Sequence, residues 1–168
     1  MLIFQARSPF SFEEFLKRCQ GIIPDQDIEL LRLVAEPNDF DYKDMQPTLK
    51  RWYESERKLK NELVKVRAQR KHIDPSKYLR GDEYAEPDIA RIAMAAYRNT
   101  SFLEAEKMID EKRWQVLEEL AFGHYFDIDV LIVYALKLLI LGRWERIRAT
   151  DKERLLEENL VSTDKSSS

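Results

Sequence analysis

The feature that most constrains this chain is a long helical repeat between residues 49 and 73. Stepping alternately by three and four from Leu49 meets Trp52, Glu56, Leu59, Leu63, Val66 and Arg70, with Ile73 next. Five of the first seven places are apolar, at the 3.5-residue spacing of a helix that packs along another helix. Pro47 suits the first turn of such a helix, and Asp74-Pro75 disfavours its continuation. The repeat therefore predicts one helix over about 46–72, roughly 39 Å long at 1.5 Å per residue. Glu56 and Arg70 interrupt the apolar seam, which argues against a long unaided coiled coil and for packing inside a multi-helix bundle.

The same stretch is strongly basic. Residues 50–71 hold nine Lys or Arg and three Glu, a net of +6, in a chain whose total is −3. The rest of the chain thus carries −9. Lys50, Arg51, Arg57, Lys58, Lys65 and Lys71 flank one side of the seam, and Lys60 and Arg67 flank the other. Together with Trp52, the cations at 50, 51, 57, 58, 65 and 71 are the candidate partner-binding residues. Three readings compete for them: a solvated face supported by Glu54–Lys58 and Glu62–Lys65 pairs, a docking face for an acidic protein, or a phosphate-binding stripe. A general nucleic-acid binder carries its charge over a whole domain and interleaves aromatics with its cations. An acidic chain with one basic helix fits that pattern poorly.

Helix punctuation recurs along the chain. Ser11 with Glu14, and Ser101 with Glu104, have capping-box spacing. They predict helices running to about Gln20, before Gly21, and to about Phe122, before Gly123. Pro24-Asp25-Gln26-Asp27 opens a helix with Ile28, Leu31 and Val34 or Ala35 on one face. Glu86-Pro87-Asp88 opens another with Ile89, Ile92, Ala93 and Ala96 or Tyr97, ended by residues 98–101. Asp127 caps the most apolar helix, expected over about 128–148 and buried on several sides. A short helix near 152–159 and a disordered tail at 161–168 are expected after it. Residues 36–44 read as a loop, and 73–86 as a connector pinned by Tyr78, Leu79 and Tyr84. No segment alternates with period two. The expectation is an all-α fold, one helical domain over 1–160 with possible halves at 9–72 and 87–148.

Several chemistries lack their signatures. Four glycines, at 21, 81, 123 and 142, build neither a phosphate loop nor a dinucleotide fingerprint. His72, His124 and Cys19 are far apart and lack metal-ligand spacing, so neither metal nor cofactor is expected. Cys19 reads as a small packing residue, and as a lone cysteine it points to a reducing compartment. His124 reads as a cap for a helix end. Asp39 with Asp41, or Asp127 with Asp129, could supply an acid–base pair, but turn and cap roles suit them better. No catalytic residue is assigned, and no enzyme is expected. Met1 to Phe4 is too short for a signal peptide's apolar region. The apolar run Val130–Leu141 has twelve residues and contains Lys137, against the roughly 20 that a bilayer span needs.

Four segments carry a resemblance: RWYESERKLKNELVKVRAQR from Arg51, DPSKYLRGDE from Asp74, SFLEAEKMIDEKRWQVLEEL from Ser101 and GHYFDIDVLIVYALKLLILGRWERI from Gly123. Over residues 9–148 the chain resembles an uncharacterised bacterial family encoded beside genes for V-type (archaeal/vacuolar-like) ATPases. The resemblance implies a role like that of the C subunit of those machines, an all-helical, non-catalytic connector between the rotating axle and the membrane ring. It further implies partners among the other ATPase subunits, no direct membrane insertion, and a cytoplasmic position at the inner face of the plasma membrane. The chain is about half the size of a full C subunit, so it would supply part of that structure. The alternative is a helical protein that binds nucleic acid or another anionic surface through the basic stripe.

Overall fold

The periodicities above set where helices form, and a computed structural model shows how they pack. It describes residues 2–36, 45–81 and 86–165, with the backbone alone described from 153 to 165. Asp39, Asp41 and Tyr84 lie outside the described residues. Six α-helices are described: α1 Phe12–Cys19, α2 Asp25–Leu33, α3 Pro47–Lys71, α4 Pro87–Arg98, α5 Phe102–Ala121 and α6 Ile128–Lys165. A 3₁₀ turn, Ser76–Tyr78, lies in the 73–86 connector. No strand occurs among the described residues, and the all-α expectation holds.

The local signals account for most helix ends. Ser11 Oγ accepts from the Glu14 N–H at 3.1 Å, and Ser101 Oγ accepts from the Glu104 N–H at 3.3 Å. Each bond satisfies one of the free donors of a first turn. Pro47 occupies the first turn of α3, and the Gln46 side chain accepts from the Leu49 N–H. His72 closes α3 with φ of 53°, a left-handed residue that stops the helix before Asp74-Pro75. One expected boundary is absent. The helix expected to end near 148 and the short one expected near 152–159 are a single helix, because α6 continues to Lys165. The Thr150 hydroxyl bonds back to the Arg146 carbonyl at 3.1 Å, one turn earlier in the same helix.

The chain groups into two compact units, Met1–Ala35 with Tyr134–Ser168, and Glu36–Val133. In the first, α1 meets α6 through aromatic rings: Tyr134 lies 5.3 Å from Phe15 and 6.1 Å from Phe10 by ring centroids. Arg18 sits over the Phe10 ring at 4.5 Å. Glu145 accepts from the Ser8 backbone N–H at 2.6 Å, and Arg148 donates to the Gln5 carbonyl at 3.0 Å. Ala135, Leu136, Leu138, Leu141 and Trp144 are buried, as the all-round apolar pattern predicts. Cys19 is buried as a packing residue, and burial pushes its thiol up.

In the second unit, α3 packs with α4 and α5. Leu59, Ile89, Ala96 and Ile109 form a core cluster with Leu63 and Ala105 against it. Leu49, Trp52, Leu59 and Val66 of the seam are buried. Arg113 of α5 reaches Glu56 of α3, whereas Arg70 of α3 reaches Tyr97 of α4. Lys58 meets Glu86 as Arg70 meets Tyr97, so α4 runs parallel to the second half of α3; Lys112 meets Asp88 and Met108 meets Asn99, so α5 runs antiparallel to both.

Candidate interaction surface

The basic stripe of α3 does not reach solvent as one surface. Trp52 is a core residue, 7% exposed. Arg57, Lys58 and Lys65 are half-buried, while Lys50, Arg51 and Lys71 are exposed. Lys58 pairs with Glu86 at 3.4 Å and not with Glu54, the partner that helix spacing suggests. Lys65 pairs with Glu62 at 2.7 Å, as spacing predicts. The Arg57 guanidinium lies against Gly81, whose φ is +67°; a Cβ there would come within 2.9 Å of it. Among the described residues, no ion pair engages Lys50, Arg51 or Lys71. The outward charge of the six candidate cations therefore sits toward the two ends of α3, and Lys60 is exposed between them.

Between α3, α4 and α5 lies a polar concavity of about 210 Å³, lined by Arg51, Lys58, Glu86, Lys112 and Glu119 among others. Its cations and anions alternate. Lys112 donates to Asp88 at 2.7 Å, and first Lys112, then Arg91, hold the Asp88 carboxyl below its ordinary range. Deeper in, Arg113 makes two bonds to Glu56, at 2.7 and 3.0 Å, and one to Asp110 at 2.9 Å. Burial opposes the Arg113 charge, but Glu56 and then Asp110 overturn that and hold it above its ordinary value. Asp110 is fully buried. Glu56 and Asp110 share the Arg113 guanidinium, and Lys112 of α5 reaches Asp88 of α4, contacts that pin the helices together.

A second feature lies where α5 turns into α6. Gly123, at φ of +84°, makes the turn, and Phe122, Tyr125 and Phe126 project from it at 87%, 74% and 103% exposure. Three aromatics so close in sequence and so exposed mark an interaction site more often than an ordinary surface. Helix periodicity gave no reason to single them out, because they fall between two helices. Asp127 accepts from the Val130 N–H at 3.1 Å, capping α6, and shares a hydrogen bond with His124 Nδ1 at 2.7 Å. Asp129 accepts from Gln46 at 2.6 Å and from the Thr48 hydroxyl, tying the start of α6 to the start of α3.

His124 Nδ1 and oxygens of Asp127 and Asp129 all lie within 4.8 Å of one another. These three residues lie within six positions in the sequence, and the turn into α6 brings their side chains together. Both carboxylates already serve structural roles at a helix N-terminus, where the helix dipole favours negative charge. The bond from Asp127 comes first among the causes that raise the His124 pKa; Asp129 adds to it, while burial and Arg51 oppose it.

Residues 89–162 match the model of a family described as a protein of unknown function (DUF2764). That segment runs from the first turn of α4 into α6. No curated protein and no solved structure matches the chain. Among the described residues, no helix is long and apolar enough to cross a membrane.

Proposed function

We propose that this chain is a non-catalytic connector of a bacterial V-type rotary ATPase, similar to the C subunit, serving ATP-driven proton or sodium transport through contacts with the central stalk or membrane ring. The resemblance over residues 9–148 is what suggests this particular machine. The observation that supports a docking role is the turn at 122–126, with three exposed aromatics beside the exposed Arg51. Aromatic and arginine side chains are the commonest anchors of protein interfaces. Charged groups around them would steer docking and make it salt-sensitive.

Affinity purification of the tagged chain from its natural host tests the reading. Rotary-ATPase subunits should co-purify in fixed ratio and leave the column as salt is raised. Recovery of the chain with none of them would overturn it. The alternative of a stripe for nucleic acid draws less support, because Lys58 and Lys65 are spent on Glu86 and Glu62.

A further inference from the structure

The two ends of the second unit differ in charge, and each exposes apolar side chains. At one end are the C-terminus of α3, the C-terminus of α4 and the start of α5. Arg67, Arg70, Lys71 and Arg98 are exposed there, outnumbering the exposed Asp74 and Glu104. Ile73, Phe102 and Leu103 stand out beside them at 47%, 80% and 41% exposure. At the other end are the start of α3 and the α5–α6 turn. Exposed Glu118, Glu119 and Asp127 outnumber Lys50 and Arg51 there, around Phe122, Tyr125 and Phe126.

The 25 residues of α3 separate these ends by about 37 Å at 1.5 Å per residue. Neither end can satisfy the other within the unit. We propose that the acidic aromatic turn docks on the basic apolar end of a second copy of this chain, so that copies associate head to tail.

Charge decides between the two ways a chain can pair with itself. Turn against turn would bring the phenylalanines together but oppose Glu119 with Glu119 and Asp127 with Asp127. Turn against basic end brings Glu119 and Asp127 to Arg67, Lys71 and Arg98, while each phenylalanine meets an apolar side chain. Like charges in apposition are disfavoured, and complementary ones set orientation. A head-to-tail contact leaves one of each surface free on the pair, so association continues into a ring or an open chain. This inference is independent of which machine the chain serves.

Sedimentation velocity on the full chain at low salt tests it. The wild-type chain should associate as concentration rises, and added salt should reverse this. Glu119→Lys with Phe126→Ser alters only the turn, and Arg67→Glu with Lys71→Glu alters only the basic end. Each double variant alone should associate about tenfold more weakly or not at all. Mixed, they should form pairs, because one retains the intact basic end and the other the intact turn. Circular dichroism matching the wild type establishes that each variant is folded. A wild-type chain that stays monomeric across the concentration series overturns the proposal. So does association unchanged in either variant, or a mixture that fails to pair.

Discussion

Arg113 grips Glu56 with two parallel hydrogen bonds, at 2.7 and 3.0 Å, and holds Asp110 with a third at 2.9 Å. Glu56 is the residue that breaks the apolar seam of α3. Its place there follows from α5, which brings a guanidinium to that point and so fixes the alignment of the two helices. Removing the cation alone takes a charged donor from two carboxylates, one of them fully buried. Arg113→Met should cost about 3–5 kcal/mol, measured by urea denaturation. Glu56→Gln, which keeps an acceptor, should cost markedly less.

Asn61 is buried and uses both ends of its amide on one residue. Its Nδ2 donates to the Arg80 carbonyl at 2.9 Å, and its Oδ1 accepts from the Arg80 N–H at 3.1 Å. The side chain acts as a short piece of backbone, tying the connector to α3. Asn61→Ala should destabilise by about 1–3 kcal/mol and release the Arg80 amide to solvent exchange. Gly81→Ala attacks the same corner, since a Cβ would strike the Arg57 guanidinium at a positive φ. It should also destabilise, by about 1 kcal/mol or more.

Trp52 and Lys50 are neighbours in the stripe with opposite fates. Trp52→Ala should lose about 3–5 kcal/mol of stability, because it opens a cavity where a buried indole stood. Lys50→Ala should stay within about 0.5 kcal/mol. Thermal unfolding separates the two, and any partner-binding defect of Trp52→Ala is then a consequence of folding.

The His124–Asp127 pair makes stability depend on pH at both of its members. His124 has its pKa raised, so its contribution is fully present below about 6.5 and is lost as pH rises through the raised value. Asp127 has its pKa lowered, chiefly by His124, so its contribution is present above about 3.9 and is lost as pH falls through the lowered value. The pair therefore stabilises most between those limits. Nuclear magnetic resonance titration should find the His124 imidazole more basic than that of a free histidine, and Asp127→Asn should remove most of that difference.

Gly142 lies inside α6, and a Cβ there would meet only the Arg146 guanidinium at 3.9 Å, an ordinary contact. Gly142→Ala should stabilise the chain by up to about 1 kcal/mol, read as a raised midpoint of thermal unfolding.

Much of this architecture was legible because it is local. Ser11, Ser101 and Pro47 act within one turn of their own position, and the helices begin where they stand. The apolar faces of α2, α3 and α4 were legible for the same reason. Part of what escaped depended on partners distant in sequence, and part on which of several local bonds a side chain makes. Lys58 has Glu54 one turn away, yet pairs with Glu86. Trp114 is 5% exposed, and its Nε1 donates to Glu118 at 3.0 Å, which satisfies the indole N–H of a buried ring. The break expected between 148 and 152 is absent because α6 runs on through it, with the Thr150 hydroxyl bonded to the Arg146 carbonyl. The exposed turn was missed because exposure of an aromatic is a property of what surrounds it.

If the chain couples parts of a rotary ATPase, its loss must change how hydrolysis is converted into transport. Membrane vesicles from the host with and without the gene allow ATP hydrolysis and ion uptake to be measured together. Vesicles lacking the chain should pump fewer ions per ATP hydrolysed, and adding back the purified protein should restore the ratio. An unchanged ratio, from an ATPase that assembles and turns over normally, would contradict the proposed role.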